Sequence, residues 1–541
     1  MYSKKSEIKI IYLLSTIFFI GFLIIPLIIL LLNSFKIGEN YGVSNYILSI
    51  KDKDVLISMI NSIKVSALTS IVTTFIAFIL SYTIHCTNIY KSIKNIIKIG
   101  ILVPMLLPTI TYGFAIIYSF GKQGLLTRLF GREIVQIYGF KGLLIGYIIY
   151  TLPPTFLIIN NSFTYIDKKF IIVSKLMGDG KLRSFVNIIV KPLIGTLCGA
   201  LVLSFVLSFT DFGIPASIGG NYKVISAKLY QVMLGAIPDF NMGSVIAIYM
   251  LIPAVFAVII LKYVERFNFH YYKFNKAEII KNNPRDIFFS IVAMLILLGI
   301  TSIFLVMFIV PFTENFPYNM NFTLDFFKKT LVSEDILDVY KNSIIVSIFS
   351  AVLGSLVSYI LAIINVRTGI NKKAKTAIDI ISMITNTVPG MVLGLSYLLF
   401  FNKSSLKGTF IIIILCNVVH FFTTPYLMAK NSFSKMNPNF ENTGELLGDS
   451  WIKTVVRVIL PNSITTIIEM FTYYFINSMV TISAIIFIVN ASTSVMTSKI
   501  KELEHYSNFN QIFVLSILIF ITNILVKISG NVINDKLSIY K

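Results

Sequence analysis

Charge is scarce in this chain, and so are the residue types that most often do chemistry. Of 541 residues only 13% are charged, about half the share found in a water-soluble globular protein. Acidic residues are the rarer sign, with 25 Asp and Glu against 46 Lys and Arg. Cysteine occurs three times, at Cys86, Cys198 and Cys416, in or at the edge of apolar runs. That placement excludes a disulfide framework and a zinc-type spacing and leaves the role of small buried hydrophobes. The four histidines, His85, His270, His420 and His505, are widely dispersed, unlike the clustered acid–base groups of a membrane enzyme. A phosphate-cradling loop needs GxxxxGK[ST]. Here Gly180-Lys181 is followed by Leu182, and Lys175 stands where the first Gly belongs. No polar stretch is long enough for an ATP-binding domain. The chain is expected to carry no catalytic residue, no metal and no cofactor.

What is abundant is hydrocarbon. Hydrophobic residues make up 56% of the chain, and mean hydropathy is +0.82. Apolar runs of roughly 20 residues recur, enough to cross a ~30 Å hydrocarbon core. In lipid each backbone polar group must bond internally, so these runs predict helices and an all-α polytopic fold. Twelve spans are expected near 10–33, 61–85, 95–120, 140–160, 191–211, 243–263, 287–311, 342–364, 378–401, 409–428, 462–490 and 511–530. The first is too long for a signal-peptide core and lacks a small-residue cleavage site, so it reads as a retained span. Net charge is +21. Clusters such as Lys91/Lys94/Lys98 and Lys372/Lys373/Lys375 fall on one side of the predicted spans, which makes that side and both termini cytoplasmic. The asymmetry accounts for the basic excess without nucleic acid.

The chain repeats itself. Asn61-Ser62 recurs as Asn342-Ser343, Pro108 as Pro389 and Gly113 as Gly394, at one offset of 281 residues. Further on, Asn161-Ser162-Phe163 recurs as Asn431-Ser432-Phe433 and Gly178 as Gly448, at an offset of 270. The first half therefore carries about eleven extra residues, around GKQGLLTRLFGREIVQIYGF. Six spans per half put both halves in the same orientation, a parallel duplication. The expected organisation is a first half at 1–265, a cytoplasmic linker at 266–286 and a second half at 287–541.

After its fourth span each half has a basic loop, KLMGDGKLRSFVNIIVKP from Lys175 to Pro192 and ELLGDSWIKTVVRVILP from Glu445 to Pro461. Gly, then Asp, then a basic amphipathic segment ending in Pro predicts a short helix, a tight turn and a second helix re-entering the membrane. Two such loops suit a paired docking surface. They resemble the EAA motif of ABC-importer permeases of type I, in which Gly is followed about thirteen residues later by Pro. Gly448 to Pro461 is thirteen residues and Gly178 to Pro192 is fourteen; Ile172-Val173-Ser174 and Asn442-Thr443-Gly444 depart from Glu-Ala-Ala. The resemblance implies coupling loops over roughly 167–183 and 437–453, with Gly178, Asp179, Pro192, Gly448, Asp449 and Pro461 as coupling residues. It also implies a separate ATPase subunit in two copies and an extracytoplasmic solute-binding protein. The latter would dock on polar segments after Asp211 and between Thr313 and Lys341. The location is the bacterial plasma membrane, multi-pass, among membrane lipid.

Polar and helix-breaking residues within the spans are candidates for the solute pathway: Asp211, Pro389, Gly390, His420, Asn477 and Thr481. Each has a structural alternative. Asp211 could cap the turn before Gly213 and Pro215; His420 could bond a neighbouring helix. The segments SFTDFGIPASIGGNYKV, PGMVLGLSYLLFFN and FINSMVTISAIIFI are similar to permeases for ferric iron and 2-aminoethylphosphonate, the second half more to the latter. The resemblance thus implies import of a small polar solute, 2-aminoethylphosphonate, with ferric iron, thiamine or a polyamine as alternatives. An ion-coupled secondary transporter also fits twelve spans in two halves, but it leaves the paired loops unexplained.

Overall fold

A helix in lipid satisfies its own backbone, and where a proline interrupts it the chain has to turn. Both rules shape the computed structural model, which describes residues 6–166, 169–264 and 282–539. Among the described residues nine helices are long and apolar enough to cross a membrane. They are α1 (Glu7–Ser34), α2 (Lys53–Cys86), α3 (Phe140–Phe163), α4 (Lys181–Thr210), α5 (Phe240–Leu261), α6 (Asn283–Phe312), α7 (Glu334–Arg367), α8 (Trp451–Val480) and α9 (Phe509–Leu537). Three further spans are bent pairs: Lys91–Leu106 with Thr109–Phe130 at 108°, Lys372–Thr387 with Gly390–Phe400 at 102°, and Phe410–His420 with Thr423–Lys435 at 51°. Taken together they make up to twelve spans, in the order the apolar runs predict. Two of the breaks fall at Pro108 and Pro389, each sitting just before a new helix. Proline donates no N–H and pushes the preceding residue toward extended backbone. Leu107 and Val388 are accordingly extended, with ψ of 147° and 117°.

The expected linker at 266–286 lies outside the described residues as far as 281. Its end is helical: Asn282 caps α6 by accepting the Arg285 N–H at 3.3 Å. Expected span 11 ran to 490, but α8 stops at Val480 and the chain continues as turns over 483–488.

Long helices here turn small residues inward and large apolar ones outward. On α2 the buried face includes Ser58, Ser62, Ser66, Thr69, Thr73 and Ala77, while Ile57, Ile71 and Phe75 are exposed. On α7 Ser343, Ser347, Ser350 and Ser358 are buried, while Phe349, Val352 and Leu356 are exposed. This is membrane packing: lipid solvates the large side chains, and small ones let backbones approach. Gly354 of α7 shows the limit, because a Cβ there would come within 2.4 Å of the Tyr474 ring on α8. The Tyr474 hydroxyl reaches Ser358 Oγ at 3.0 Å and the Val418 carbonyl at 3.2 Å.

Two compact units emerge, and they do not follow the repeats. One contains residues 50–231 and 252–326; the other contains 1–49, 232–251 and 327–541. Within the first, α6 packs on the first repeat through Tyr82–Phe289 and Tyr112–Phe304, with ring centroids 4.8 Å and 5.2 Å apart. Within the second, α1 packs on the second repeat: Phe19 meets Phe422 at 4.6 Å, and the Tyr397 hydroxyl donates to the Phe22 carbonyl at 2.7 Å. The first span of each repeat thus joins the other repeat's core. After α1 and α6 the chain forms matched antiparallel hairpins, β1 (Lys36–Ile37) with β2 (Asn40–Tyr41) and β3 (Thr313–Asn315) with β4 (Asn319–Phe322).

The duplication extends to individual hydrogen bonds. The repeated Asn-Ser pair anchors a short helix in each half. Ser62 Oγ accepts the Ile225 N–H at 2.8 Å, and Ser343 Oγ accepts the Met496 N–H at 2.7 Å. Asn61 donates to the Lys223 carbonyl at 3.0 Å and Asn342 to the Ser494 carbonyl at 3.1 Å.

Candidate functional site

Each repeated loop closes with the same backbone device. The loop helices Lys169–Leu176 and Asn439–Leu446 end in glycines of positive φ, Gly178 at +77° and Gly448 at +75°. The next N–H then reaches back five residues, Asp179 to the Ser174 carbonyl at 3.0 Å and Asp449 to the Gly444 carbonyl at 2.9 Å. This is a Schellman closure, which satisfies carbonyls that a helix end leaves free. A Cβ at either glycine would meet nothing within 4 Å, so it is φ rather than space that selects glycine.

The aspartates hold the far side of the turn. Asp179 accepts Ser174 Oγ at 2.8 Å and pairs with Arg183 at 3.3 Å. Asp449 pairs with Lys453 at the same i,i+4 spacing. Gly444, at a position the sequence marks only as a departure from Ala, has its own packing reason. A Cβ there would lie 2.4 Å from Thr454 Oγ1.

Pro192 and Pro461 differ from expectation. They do not open the membrane helix. It starts earlier, at Lys181 and Trp451, and runs through a π-helical turn at Val186–Val190 and Val455–Ile459 just before each proline. The wider turn relieves the clash that proline creates with the carbonyl four residues back. One continuous helix, α4 or α8, therefore leads away from each loop.

The loop tips expose large apolar side chains at matched positions. Leu176 and Met177 are 83% and 77% exposed, Leu446 and Leu447 88% and 76%. Residues 167–168 of the expected first coupling range lie outside the described residues.

The polar candidates divide between the two units. In residues 50–231, Asp211 is a cap. Its Oδ2 accepts the Ile214 N–H at 2.9 Å, its carboxylate is hydrogen-bonded by Thr109, and its carbonyl accepts Ser226 Oγ at 2.7 Å. In residues 327–541, Pro389, Gly390 and His420 come together. A Cβ on Gly390 would meet Ser483 Oγ at 2.7 Å and His420 Nε2 at 3.3 Å. His420 Nδ1 and both side-chain polar atoms of Asn417, one turn earlier, are buried with no protein partner. Asn477 and Thr481 lie at the end of α8. Asn477 Nδ2 donates to the Tyr473 carbonyl at 2.8 Å, and the buried Thr481 offers its carbonyl to Thr497 Oγ1 at 2.8 Å. The N-terminus of Gly390–Phe400 has no side-chain cap, and an imidazole and a hydroxyl lie beside it. Such a half-helix end favours negative charge. Among the described residues no three His, Cys, Asp or Glu are grouped to hold a metal ion.

Sequence reading missed an ion pair next to the second loop, Arg367 with Glu441, and the network of Asn365, Asp379, Tyr426 and Lys430 beside it. The signal was there: Arg367 falls three residues past the expected end of span 8.

A family model described as "Binding-protein-dependent transport system inner membrane component" matches the chain twice, over 87–270 and 354–539. A putative ferric transport system permease protein of Haemophilus influenzae is 24% identical over 490 residues, 88% of this chain and 77% of that protein. A ferric transport system permease protein of Actinobacillus pleuropneumoniae is 25% identical over 504 residues, 90% of this chain and 73% of its own length. A spermidine/putrescine permease homologue of Mycoplasma pneumoniae is 22% identical over 258 residues, 44% of this chain and 86% of its own length.

Proposed function

The chain belongs, in both halves, to the family of binding-protein-dependent transport-system inner-membrane components. It is thus the fused two-half permease of an ABC importer, and we propose that it carries 2-aminoethylphosphonate inward, driven by a separate ATPase docked on its two loops. The observation that carries the docking role is the matched geometry of the loops. Two Schellman turns present an exposed apolar pair, Leu176-Met177 and Leu446-Leu447, and each turn leads directly into the helix that becomes a membrane span. A rod pushed at its tip moves its whole length, so two ATPase subunits, one per loop, would convert closure into rocking of the two halves. Gly178, Asp179, Gly448 and Asp449 set the turn, and Pro192 and Pro461 with their π turns set the angle of the rod. The loops and both termini face the cytoplasm, a reading the lysine asymmetry supports. A solute-binding protein docks opposite, on the segments after Asp211 and between Thr313 and Lys341.

For the solute, support comes from the similarity of second-half segments to aminophosphonate permeases and from the polar set at Gly390. The helix N-terminus and His420 at Gly390, with Asn477 and Thr481 at the end of α8, would supply polar groups and a dipole for a phosphonate passing through. Asp211 would attract the amine if its cap opens. Ferric iron is the second reading, favoured by the two relatives named as ferric transport permeases. Uptake of labelled 2-aminoethylphosphonate and of ferric iron, with and without the gene, separates the two. Loss of the aminophosphonate signal alone supports the first reading; loss of iron alone replaces it with the second.

A further inference from the structure

The two loops share a backbone but not an attachment. Arg367, the last residue of α7, has its guanidinium buried against Glu441 in the helix leading to Gly448. Nε donates to Oε1 and Nη2 to Oε2, both at 2.6 Å. Nη1 also donates to the Met436 carbonyl at 3.2 Å and Nη2 to the Asn437 carbonyl at 2.7 Å. A planar fork on a carboxylate fixes angle as well as distance. Both side chains are less than a tenth exposed, so neither has water to fall back on if the pair opens.

The connection continues. Asn365 on α7 donates to Asp379 Oδ1 at 3.2 Å and to the Tyr426 hydroxyl at 2.9 Å, and Lys430 reaches Asp379 at 2.6 Å. Asp379 belongs to Lys372–Thr387, the helix that ends just before Pro389 and Gly390. Polar bonds therefore run from the second loop through α7 to the helix that carries the break. In the first repeat the matched positions hold Cys86 for Arg367, Ile171 for Glu441, Ile84 for Asn365 and Lys98 for Asp379. Those side chains cannot form this set of bonds.

We infer that Arg367 is a positioning residue that gears the second loop to the broken helix at Pro389, and that the two loops are unequal transmitters of ATPase motion. This rests on the importer reading. The test uses the full permease with its ATPase and binding protein in lipid vesicles. It measures labelled 2-aminoethylphosphonate, and ferric iron in parallel, moved per ATP hydrolysed.

Arg367→Met is expected to lower that ratio by about tenfold while the ATPase still co-purifies. The exchange Arg367→Glu with Glu441→Arg should recover most of it, and Cys86→Met in the first repeat should leave it unchanged. A ratio unaffected by Arg367→Met overturns the inference, as does an assembled exchange variant that recovers nothing. If Arg367→Met fails to reach the membrane, Arg367→Lys decides in the same way, since it keeps the charge and loses the fork. A wild-type complex that moves neither label on ATP overturns the importer reading and this inference with it. Normal wild-type transport with an unchanged Arg367→Met ratio overturns the inference alone.

Discussion

Gly178 and Gly180 stand two residues apart in one loop, and replacing each by Ala asks different things of the backbone. A Cβ at either meets nothing within 4 Å. Gly178 has φ +77°, whereas Gly180 has φ −63° and ψ 152°, where any residue is at ease. An L side chain in the left-handed region costs about 1–2 kcal/mol. Because the tip is exposed, Gly178→Ala lets the loop leave the Schellman turn rather than unfolding the protein. The population in docking geometry then drops roughly 5–30-fold, and apparent ATPase affinity falls by the same factor. Gly180→Ala sets a weaker N-cap against lower unfolded-chain entropy, and should shift affinity by less than about threefold. Gly178→Asn should lie between, since Asn tolerates positive φ. The assay is titration of the ATPase onto permease held in lipid nanodiscs. Equal affinities for Gly178→Ala and Gly180→Ala would refute the claim that the turn, rather than loop composition, makes the docking surface.

Gly394→Ala should reduce membrane-inserted yield and thermal stability, because its Cβ would lie 2.4 Å from the Ala484 carbonyl and overpacking of this kind costs about 1–3 kcal/mol; a melting curve checks it. Asp211→Asn keeps an oxygen for the Ile214 N–H and should melt close to wild type, whereas Asp211→Ala should lose about 0.5–2 kcal/mol for the missing cap. Unchanged uptake in Asp211→Asn would leave the residue a cap and remove it from the solute pathway.

The order of the spans was legible, with nine long helices and three bent pairs at the expected places among the described residues, because apolar length is a crude signal that lipid enforces strictly. The turn glycines were legible too, since Gly followed by Asp at matched places leaves few conformations. The role of Pro192 and Pro461 was not. A proline near a helix start reads as its first turn, and nothing local distinguishes that from a proline accommodated behind a π turn within a longer rod. Asp211 carried two readings in the sequence, and its bonds to Ile214 and Thr109 are those of the cap. Compact units also escaped the sequence, because which partner α1 and α6 choose depends on surfaces such as Phe19 against Phe422 that periodicity does not encode. The Arg367–Glu441 pair joins residues 74 apart, beyond the reach of motif spacing.

The most direct test of the central claim is solute uptake into vesicles holding this permease, with the ATPase enclosed and the binding protein and labelled solute outside. The account predicts accumulation that requires ATP, the ATPase and the binding protein together, and that collapses when both loop glycines, Gly178 and Gly448, are replaced by Asp. Uptake that persists without ATP, driven by an ion gradient alone, would contradict it.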